Sequence, residues 1–212
     1  MVIAIDGPAG AGKSTVARAL AAELGFTYLD SGAMYRCVAL TCLEWGADPA
    51  ASGEATSTAE SIEIGFEGDD VLIDGVPVTD EIRTPEVTEA ASQVAVHPGV
   101  RAAMVAEQRR LIETGPYVTE GRDIGTVVAP DSPLKIFLTA SPEARAERRA
   151  AQTGEAVADV LAAQEERDRR DSEREIGALT VADDAVTIDS TDLTSEEVVA
   201  RIAALARERG LA

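Results

Sequence analysis

Asparagine is absent from the 212-residue chain, histidine occurs once, at His97, and cysteine twice, at Cys37 and Cys42. A single histidine excludes multi-histidine metal centres and argues against a His-centred catalytic triad. The cysteines are five apart in a segment that reads as helix, where five residues turn about 500° and place the side chains on different faces. They read as two small buried hydrophobes of a reducing compartment, not as a disulfide or metal pair. No apolar run approaches the roughly 20 residues that a bilayer-spanning helix needs. The N-terminus lacks a cationic segment followed by a cleavable apolar one, so a cytoplasmic location is the expectation.

Lysine is scarce as well. Only Lys13 and Lys135 occur beside 17 arginines, within a net charge of -19. That charge argues against binding nucleic acid or an anionic membrane surface. Arginine's planar fork suits phosphate, but genome composition also favours arginine, so the positions of the arginines matter more than their number. Apolar residues make up 45% of the chain, ordinary for a globular protein with one well-buried core.

The chain opens on "VIAID", a buried strand, followed by a helical stripe from Lys13 to Leu24 that Gly25 closes. "TYLD" reads as a second strand and Gly32–Trp45 as a helix. Strand, glycine loop, helix, strand is the opening of a doubly wound α/β fold. Residues 47–61 are small and polar, a loop or weak helix. "IEIGFEGDDVLIDGVPVT" then breaks into short β-like pieces, an antiparallel hairpin or three-stranded sheet inserted over roughly residues 60–80. Helices are expected over Pro85–Ala95, starting near "RTPE", and over Pro98–Glu113. "PYVTEG" and "LKIFLTA" are further buried strands. Two charged helices follow, Ser141–Gln152 and Ala156–Arg174, with a break at Gly154. "AVTIDS" is the last strand, and Thr194–Arg209, with "TSEE" at its start, the last helix. The core therefore has five parallel strands.

"GPAGAGKS" (Gly7, Pro8, Ala9, Gly10, Ala11, Gly12, Lys13, Ser14), with Thr15 after it, fits G-x-x-x-x-G-K-[ST] between a strand and a helix, the context in which that spacing makes a phosphate loop. Backbone N–H groups and the helix N-terminus cradle phosphate oxygens, Lys13 reaches the terminal phosphates and the Ser14 hydroxyl sits on Mg²⁺. An acidic partner is expected at a neighbouring strand tip. Glu120, at the end of "YVTE", is the first choice. Asp6, which abuts the loop, is the second, with backbone bonding as its other role.

A phosphate loop serves GTPase switches, ATPase motors and small-molecule kinases. The guanine-reading N-K-x-D segment cannot exist without asparagine. A kinase needs arginines grouped around a second phosphate, and the sequence has such groups. Tyr35 and Arg36 follow the second strand, Arg122 and Asp123 follow the acidic tip, and "ERDRRDSER" puts Arg167, Asp171 and Arg174 on one helix face. A solvated face with intrahelical ion pairs is the competing account of that last group. The strand-end position of the other groups favours ligand binding.

In order, "IDGPAGAGKST", "DSGAMYR", "EIRTPEV", "GRDIGTVV", "KIFLTAS" and "RDRRDSER" resemble the bacterial cytidylate kinases over essentially the whole chain. The resemblance implies transfer of the γ-phosphoryl of ATP to CMP or dCMP, on an adenylate-kinase-like core. The fold class implied is α/β: a P-loop three-layer fold with a five-stranded parallel sheet, a small antiparallel β insert and a helical lid. On that scheme 1–50, 114–141 and 175–212 form the core of a single domain, about 51–113 the acceptor-binding insert and about 142–174 the lid. Gly7–Thr15 would bind ATP phosphates. Ser31, Arg101 and Asp123 match cytosine-reading positions, and Arg36 and Arg122 an acceptor-phosphate clamp. Ser92, Arg167, Asp171 and Arg174 match positions near the acceptor's sugar and phosphate, and Tyr35 stands among the substrate-binding candidates. Lys13, Arg122, Arg148 and Arg174 are the catalytic candidates, with Arg148 a lid arginine near the migrating phosphoryl. Mg²⁺ would be held by Ser14 and, through water, by Glu120. The family also implies a monomer acting on free nucleotides.

Cytosine's pairing edge agrees with this set. It offers an N4 amino donor beside N3 and O2 acceptors, so a reader needs an acceptor and a donor, the chemistry of Asp123 and Arg101. Uracil would oppose two acceptors at Asp123. Asp171 would accept from a ribose hydroxyl, a contact that tolerance of dCMP keeps from being strict.

Overall fold

The computed structural model describes residues 1–174 and 176–212. It divides into two compact units, Met1–Asp30 with Leu111–Ala212, and Ser31–Arg110.

The first unit is built on a five-stranded parallel sheet. The strands are β1 (Val2–Asp6), β2 (Thr27–Asp30), β6 (Tyr117–Gly121), β7 (Leu134–Thr139) and β8 (Val186–Asp189), in the order β2-β6-β1-β7-β8. Every pairing is parallel. The central strand β1 is buried along its whole length, which is why it reads as an unbroken apolar run instead of an alternating one. Helices α1 (Lys13–Leu24) and α8 (Ser195–Glu208) pack on each other and on the sheet. Val16, Leu20, Val198 and Ile202 join Ile3, Ile5, Leu134 and Leu138 in one apolar core.

The local signals in the sequence set the ends of these helices. Gly25 closes α1, its N–H bonded to the Ala21 carbonyl. Thr194 caps α8 reciprocally: its hydroxyl accepts from the Glu197 N–H while the Glu197 carboxylate accepts from the Thr194 N–H. Such a box satisfies two helix-end donors at once. Helices α6 (Pro142–Thr153) and α7 (Val157–Ser172) pack against each other through Ala146, Ala150 and Val160, with Gly154 ending α6.

In the second unit, α2 (Ser31–Trp45) packs against α3 (Ser52–Ser61) and α4 (Pro85–Val94), and α5 (Pro98–Ile112) follows. The expected β insert is a three-stranded antiparallel sheet of β3 (Ile64–Glu67), β4 (Asp70–Ile73) and β5 (Val76–Pro77). Thr84 caps α4, accepting from the Val87 N–H, with Pro85 in the first turn, as "RTPE" predicts. Cys37 and Cys42 are both buried and unlinked, and the His97 ring Nε2 lies 2.9 Å from the Pro49 carbonyl.

Two elements were not foreseen. Residues 52–61 form a full helix instead of a loop or weak one, because Ala55, Thr58 and Ala59 recur at helical spacing and are buried. Small side chains carry little hydropathy, so the stripe is faint in sequence. A π-helical turn also runs over Ile124–Val128, where the sequence showed only the end of a strand.

Leu20→Ala should cost about 2–5 kcal/mol, the range for emptying a packed core site, while Val76→Ala on the exposed end of the small sheet should stay within about 0.5 kcal/mol. Urea unfolding measures both. Equal costs would mean the packing described for α1 is wrong.

Candidate active site

The parallel register brings the ends of β1, β2 and β6 level, Asp6 beside Gly121 and Asp30 beside Glu120. Everything that leaves those strand ends shares one edge of the sheet, where open α/β sheets place their ligands.

From β1 the chain passes into the phosphate loop. At Gly7 it runs so close to β7 that a Cβ would sit 2.0 Å from the Leu138 carbonyl oxygen. Only glycine allows that approach. Lys13 opens α1 and is buried, its ammonium donating to the Pro8 carbonyl at 2.8 Å across the loop. Burial, with Arg122 and Arg167 nearby, pushes Lys13 down to about 7, against the opposing pull of Glu120 and Asp6. The first turn of α1 holds no acidic side chain, so the positive end of the helix dipole stays uncompensated by a carboxylate of its own.

Glu120 is buried at the tip of β6. Its Oε1 accepts from the Ser14 hydroxyl at 2.5 Å and from the Tyr28 hydroxyl at 3.1 Å. Tyr28 in turn lies under the Arg18 guanidinium, 4.8 Å from the ring centre. Burial and Glu120 raise the Tyr28 phenol far above its ordinary value, so it stays a hydrogen-bond donor. A hydroxyl and a carboxylate are the hard oxygen donors Mg²⁺ takes when phosphates complete its shell, and Ser14 with Glu120 fits that requirement. Among the described residues no cluster of three or more His, Cys, Asp or Glu forms a self-sufficient metal cage.

Asp6 takes the backbone role of the two considered for it, and its partner is not the phosphate loop. Its two oxygens accept from the N–H groups of Ile124 and Gly125, at 2.8 and 2.7 Å. The carboxylate thus caps the π-helical turn that begins immediately after Asp123. Asp123 itself is buried, and its carbonyl accepts from Val127 and Val128. Burial raises Asp6 to about 6, despite the two backbone donors and with the Asp123 charge adding to the rise.

The arginine set gathers around Asp171. This carboxylate, 1% exposed, accepts from Arg122 Nε at 2.7 Å through one oxygen and from Arg174 through the other. Burial alone would raise its pKa, but Arg122, Arg174 and Arg167 outweigh burial and hold it below the ordinary carboxylate value. Asp171 therefore stays ionised and clasps two guanidinium groups with both oxygens. Arg148 is held at the loop after β8, donating to the Ser190 hydroxyl and carbonyl and to the Thr191 carbonyl. The arginine that reaches the phosphate loop is Arg145, one helical turn earlier, donating to the Ala9 carbonyl at 2.8 Å.

The remaining candidates lie in the second unit. Ser31 begins α2 and is buried, with Tyr35 and Arg36 half-buried one turn on. Arg101, 2% exposed, stands over the Tyr35 ring at 5.8 Å from its centre, within cation–π reach. Ser92 donates to the Thr88 carbonyl at 3.4 Å. Tyr28, Arg145 and Asp168 escaped the sequence reading. Only Asp168 lay in a stretch that drew notice, "ERDRRDSER", and it falls off the face that was singled out.

The family model for cytidylate kinase matches residues 3–208. The chain belongs to the cytidylate kinase family. The cytidylate kinase of Mycobacterium leprae (strain Br4923) is 46% identical over 215 residues, covering 99% of this chain and 96% of the relative. That of Rhodococcus opacus (strain B4) is 48% identical over 219 residues, with the same shares. Among solved structures, an uncharacterized protein from Eubacterium ventriosum ATCC 27560 aligns with a TM-score of 0.56 at 13% identity, covering 98% of both chains, a likeness of fold alone. As a cytidylate kinase the protein is an ATP-dependent phosphotransferase that phosphorylates CMP and dCMP. No helix among the described residues is long and apolar enough to cross a membrane.

The raised pKa of Asp6 has a definite sign. Between pH 4 and 6 the unfolded chain has lost this proton (reference value 3.8) while the folded chain keeps it, so the folded state binds more protons and stability falls as pH rises through that window. The full effect is on the order of 3 kcal/mol. Asp171 changes nothing there, because its depressed pKa moves its effect below the unfolded value. Urea titrations from pH 4 to 7 should therefore show a smaller decline in Asp6→Asn than in the parent protein. Parallel curves would mean that Asp6 is ionised throughout.

Proposed function

We propose that the kinase carries out direct in-line transfer of the γ-phosphoryl to the acceptor phosphate, with no phosphoenzyme, and that the residues around Asp171 and the phosphate loop perform it. The observation that carries this reading is the pairing of Arg122 and Arg174 on one buried carboxylate, with Arg122 close enough to Lys13 and Glu120 to perturb or be perturbed by their charge.

The acceptor oxygen of a nucleoside monophosphate is already anionic at neutral pH, so no protein base has to activate it. Catalysis then consists of positioning and of stabilising charge. Gly7–Thr15 receives the ATP phosphates on backbone N–H groups. Anionic phosphate beside the Lys13 ammonium restores the charge that burial disfavours. Arg122 and Arg36 clamp the acceptor phosphate, and Arg167 and Arg174 spread positive charge over the oxygens that would otherwise repel one another. Asp171 acts through these arginines by fixing their orientation. Ser14 would hold Mg²⁺ and Glu120 would hold it through water; when bound, the ion would supply charge neutralisation for the phosphates.

Recognition of the base follows from the chemistry of its edge. Asp123 accepts from the N4 amino group, and Arg101 and Ser31 donate to the ring acceptors, with Tyr35 and Ser92 supporting the acceptor-binding region. The antiparallel insert belongs to that region, and α6 with α7 forms the lid that excludes water and suppresses ATP hydrolysis. Arg148 serves the lid by anchoring α6 to residues 190–191. The enzyme acts as a cytoplasmic monomer on free nucleotides.

In an ADP-release assay with Mg·ATP, CMP and dCMP should stimulate turnover well above UMP, AMP or no acceptor. Each polar group that uracil leaves unpaired costs about 1–3 kcal/mol. UMP as good as CMP would remove Asp123 from its assigned role. Arg122→Ala should lower kcat/KM for CMP by at least about a hundredfold, in line with losing a charge stabiliser, in a protein that still folds but melts at a lower temperature because buried Asp171 loses one of its two cations. A near-normal kcat/KM would refute the clamp.

A further inference from the structure

One residue of the phosphate loop, Ala9, is gripped through both of its backbone polar groups by a pair of side chains that the proposed mechanism does not use. The Ala9 N–H donates to Asp168 Oδ1 at 3.1 Å, and the Ala9 carbonyl accepts from Arg145 Nη1 at 2.8 Å. The same Nη1 donates to Asp168 Oδ2 at 2.6 Å, so the pair closes a hydrogen-bonded ring with Ala9. Arg145 is 6% exposed and is fixed further by its Nε, which donates to the Ala140 carbonyl at 3.2 Å. Gln164 donates to the Arg145 carbonyl at 3.4 Å. At Gly10, a Cβ would lie 2.6 Å from Gln164 Nε2 and 3.2 Å from Arg145 Cβ. Loop and helices are thus in direct contact at two successive residues.

We infer that Arg145 and Asp168 are positioning residues for ATP: they fix the orientation of the two peptide units flanking the Ala9 Cα and so tie the phosphate loop to both α6 and α7. The inference rests on the reading that Gly7–Thr15 binds ATP phosphates. Its physical basis is the rigidity that phosphate binding by main-chain N–H groups demands. A loop of three glycines within six residues has many conformations, and each must be excluded before the donors converge on one point. A charge-assisted bond to each of the two peptide units that meet at Ala9 restrains rotation about its φ and ψ. The pair is also close to neutral as a unit, so Asp168 can sit on the loop without setting a net negative charge against the incoming polyphosphate. Arg145 supplies the charge that offsets it, and the pair is held by backbone groups of Ala9 and Ala140. Because α7 also carries Asp171, to which Arg122 and Arg174 donate, the same contact joins the donor loop to the arginine set.

The test uses the full-length enzyme and three variants, Asp168→Asn, Arg145→Met and Arg145→Lys, with Lys13→Met as a control. Asp168→Asn keeps an acceptor for the Ala9 N–H but turns the ion pair into a neutral contact. The expected result is a KM for ATP raised about tenfold in Asp168→Asn and Arg145→Met, the scale of a lost charge-assisted bond. The KM for CMP should move less than about twofold, and Arg145→Lys should recover part of the loss. Direct titration with a fluorescent ATP analogue in the absence of acceptor should show the same weakening. The double variant should lose no more than the worse single one, because the two residues act as one device. Unchanged ATP affinity in the folded single variants overturns the inference, as does a loss spread equally over ATP and CMP. So does failure of both Asp168→Asn and Arg145→Met to fold, which would make the pair purely structural. If Lys13→Met also leaves ATP affinity unchanged, it is the phosphate-loop reading that fails; if Lys13→Met weakens ATP and the others do not, only the positioning role fails.

Discussion

Gathering like charges in a partly buried place is the constraint on which the candidate site depends. Two guanidinium groups side by side repel, and withdrawing them from water makes the repulsion worse. The protein meets this with one carboxylate, Asp171, that is almost fully buried and divided between Arg122 and Arg174. The arrangement holds the arginines where they are before any phosphate arrives, so the energy of assembling them belongs to folding and not to the catalytic cycle. Arg122 comes from the segment after β6 and Asp171 from α7, so the clasp also joins a strand end to a helix far away in sequence. The depressed pKa of Asp171 is the electrostatic trace of the same fact.

The rest of the site inherits its order from the sheet. Parallel register puts Asp6, Glu120 and Asp30 on one edge, and each does different work there. Glu120 receives the hydroxyls of Ser14 and Tyr28, Asp6 receives main-chain donors from the turn beyond β6, and the phosphate loop leaves β1 between them. The buried carboxylates of Glu120, Asp6 and Asp171 are matched to donors, as buried charge requires. Asp171 and Asp6 differ in protonation because their donors differ. Asp171 meets full positive charges and its pKa goes down; Asp6 meets N–H dipoles, and burial wins.

Much of this was legible in the sequence because it is local. "GPAGAGKS" carries its meaning in eight consecutive residues, "TSEE" and "RTPE" spell out helix starts, and the apolar run of β1 announces a central parallel strand. What stayed hidden is non-local. Asp6 bonds to backbone 118 and 119 positions away, and Asp168 to a loop 159 positions away. No spacing rule reaches so far. The helix was expected to run to Arg174 with Arg167, Asp171 and Arg174 on one face; α7 ends at Ser172, so Arg174 reaches Asp171 from beyond the helix end, and periodicity along one helix cannot reveal that Arg122 takes its other oxygen. Arg148 and Arg145 looked alike in "ARAERR", and only packing of α6 against its surroundings decides which of them meets the phosphate loop. Helix α3 was faint because alanine and threonine form its buried stripe.

The bonds from Asp6 to residues 124 and 125 involve main-chain N–H groups only, so this part of the hold on the segment after Asp123 is indifferent to its side chains, while Ile124 and Val128 add their own burial. Support and recognition are therefore assigned to different atoms. On the proposed reading of Asp123 as the base-facing residue, a protein so built can exchange that side chain while the backbone presenting it stays where it was. Gly125 is the exception, since a Cβ there would press on Asp6 and Lys135 at 3.2–3.3 Å. Within those bounds, the choice of base becomes an editable feature of a fixed frame, and a shift of acceptor preference requires no redesign of the sheet beneath it.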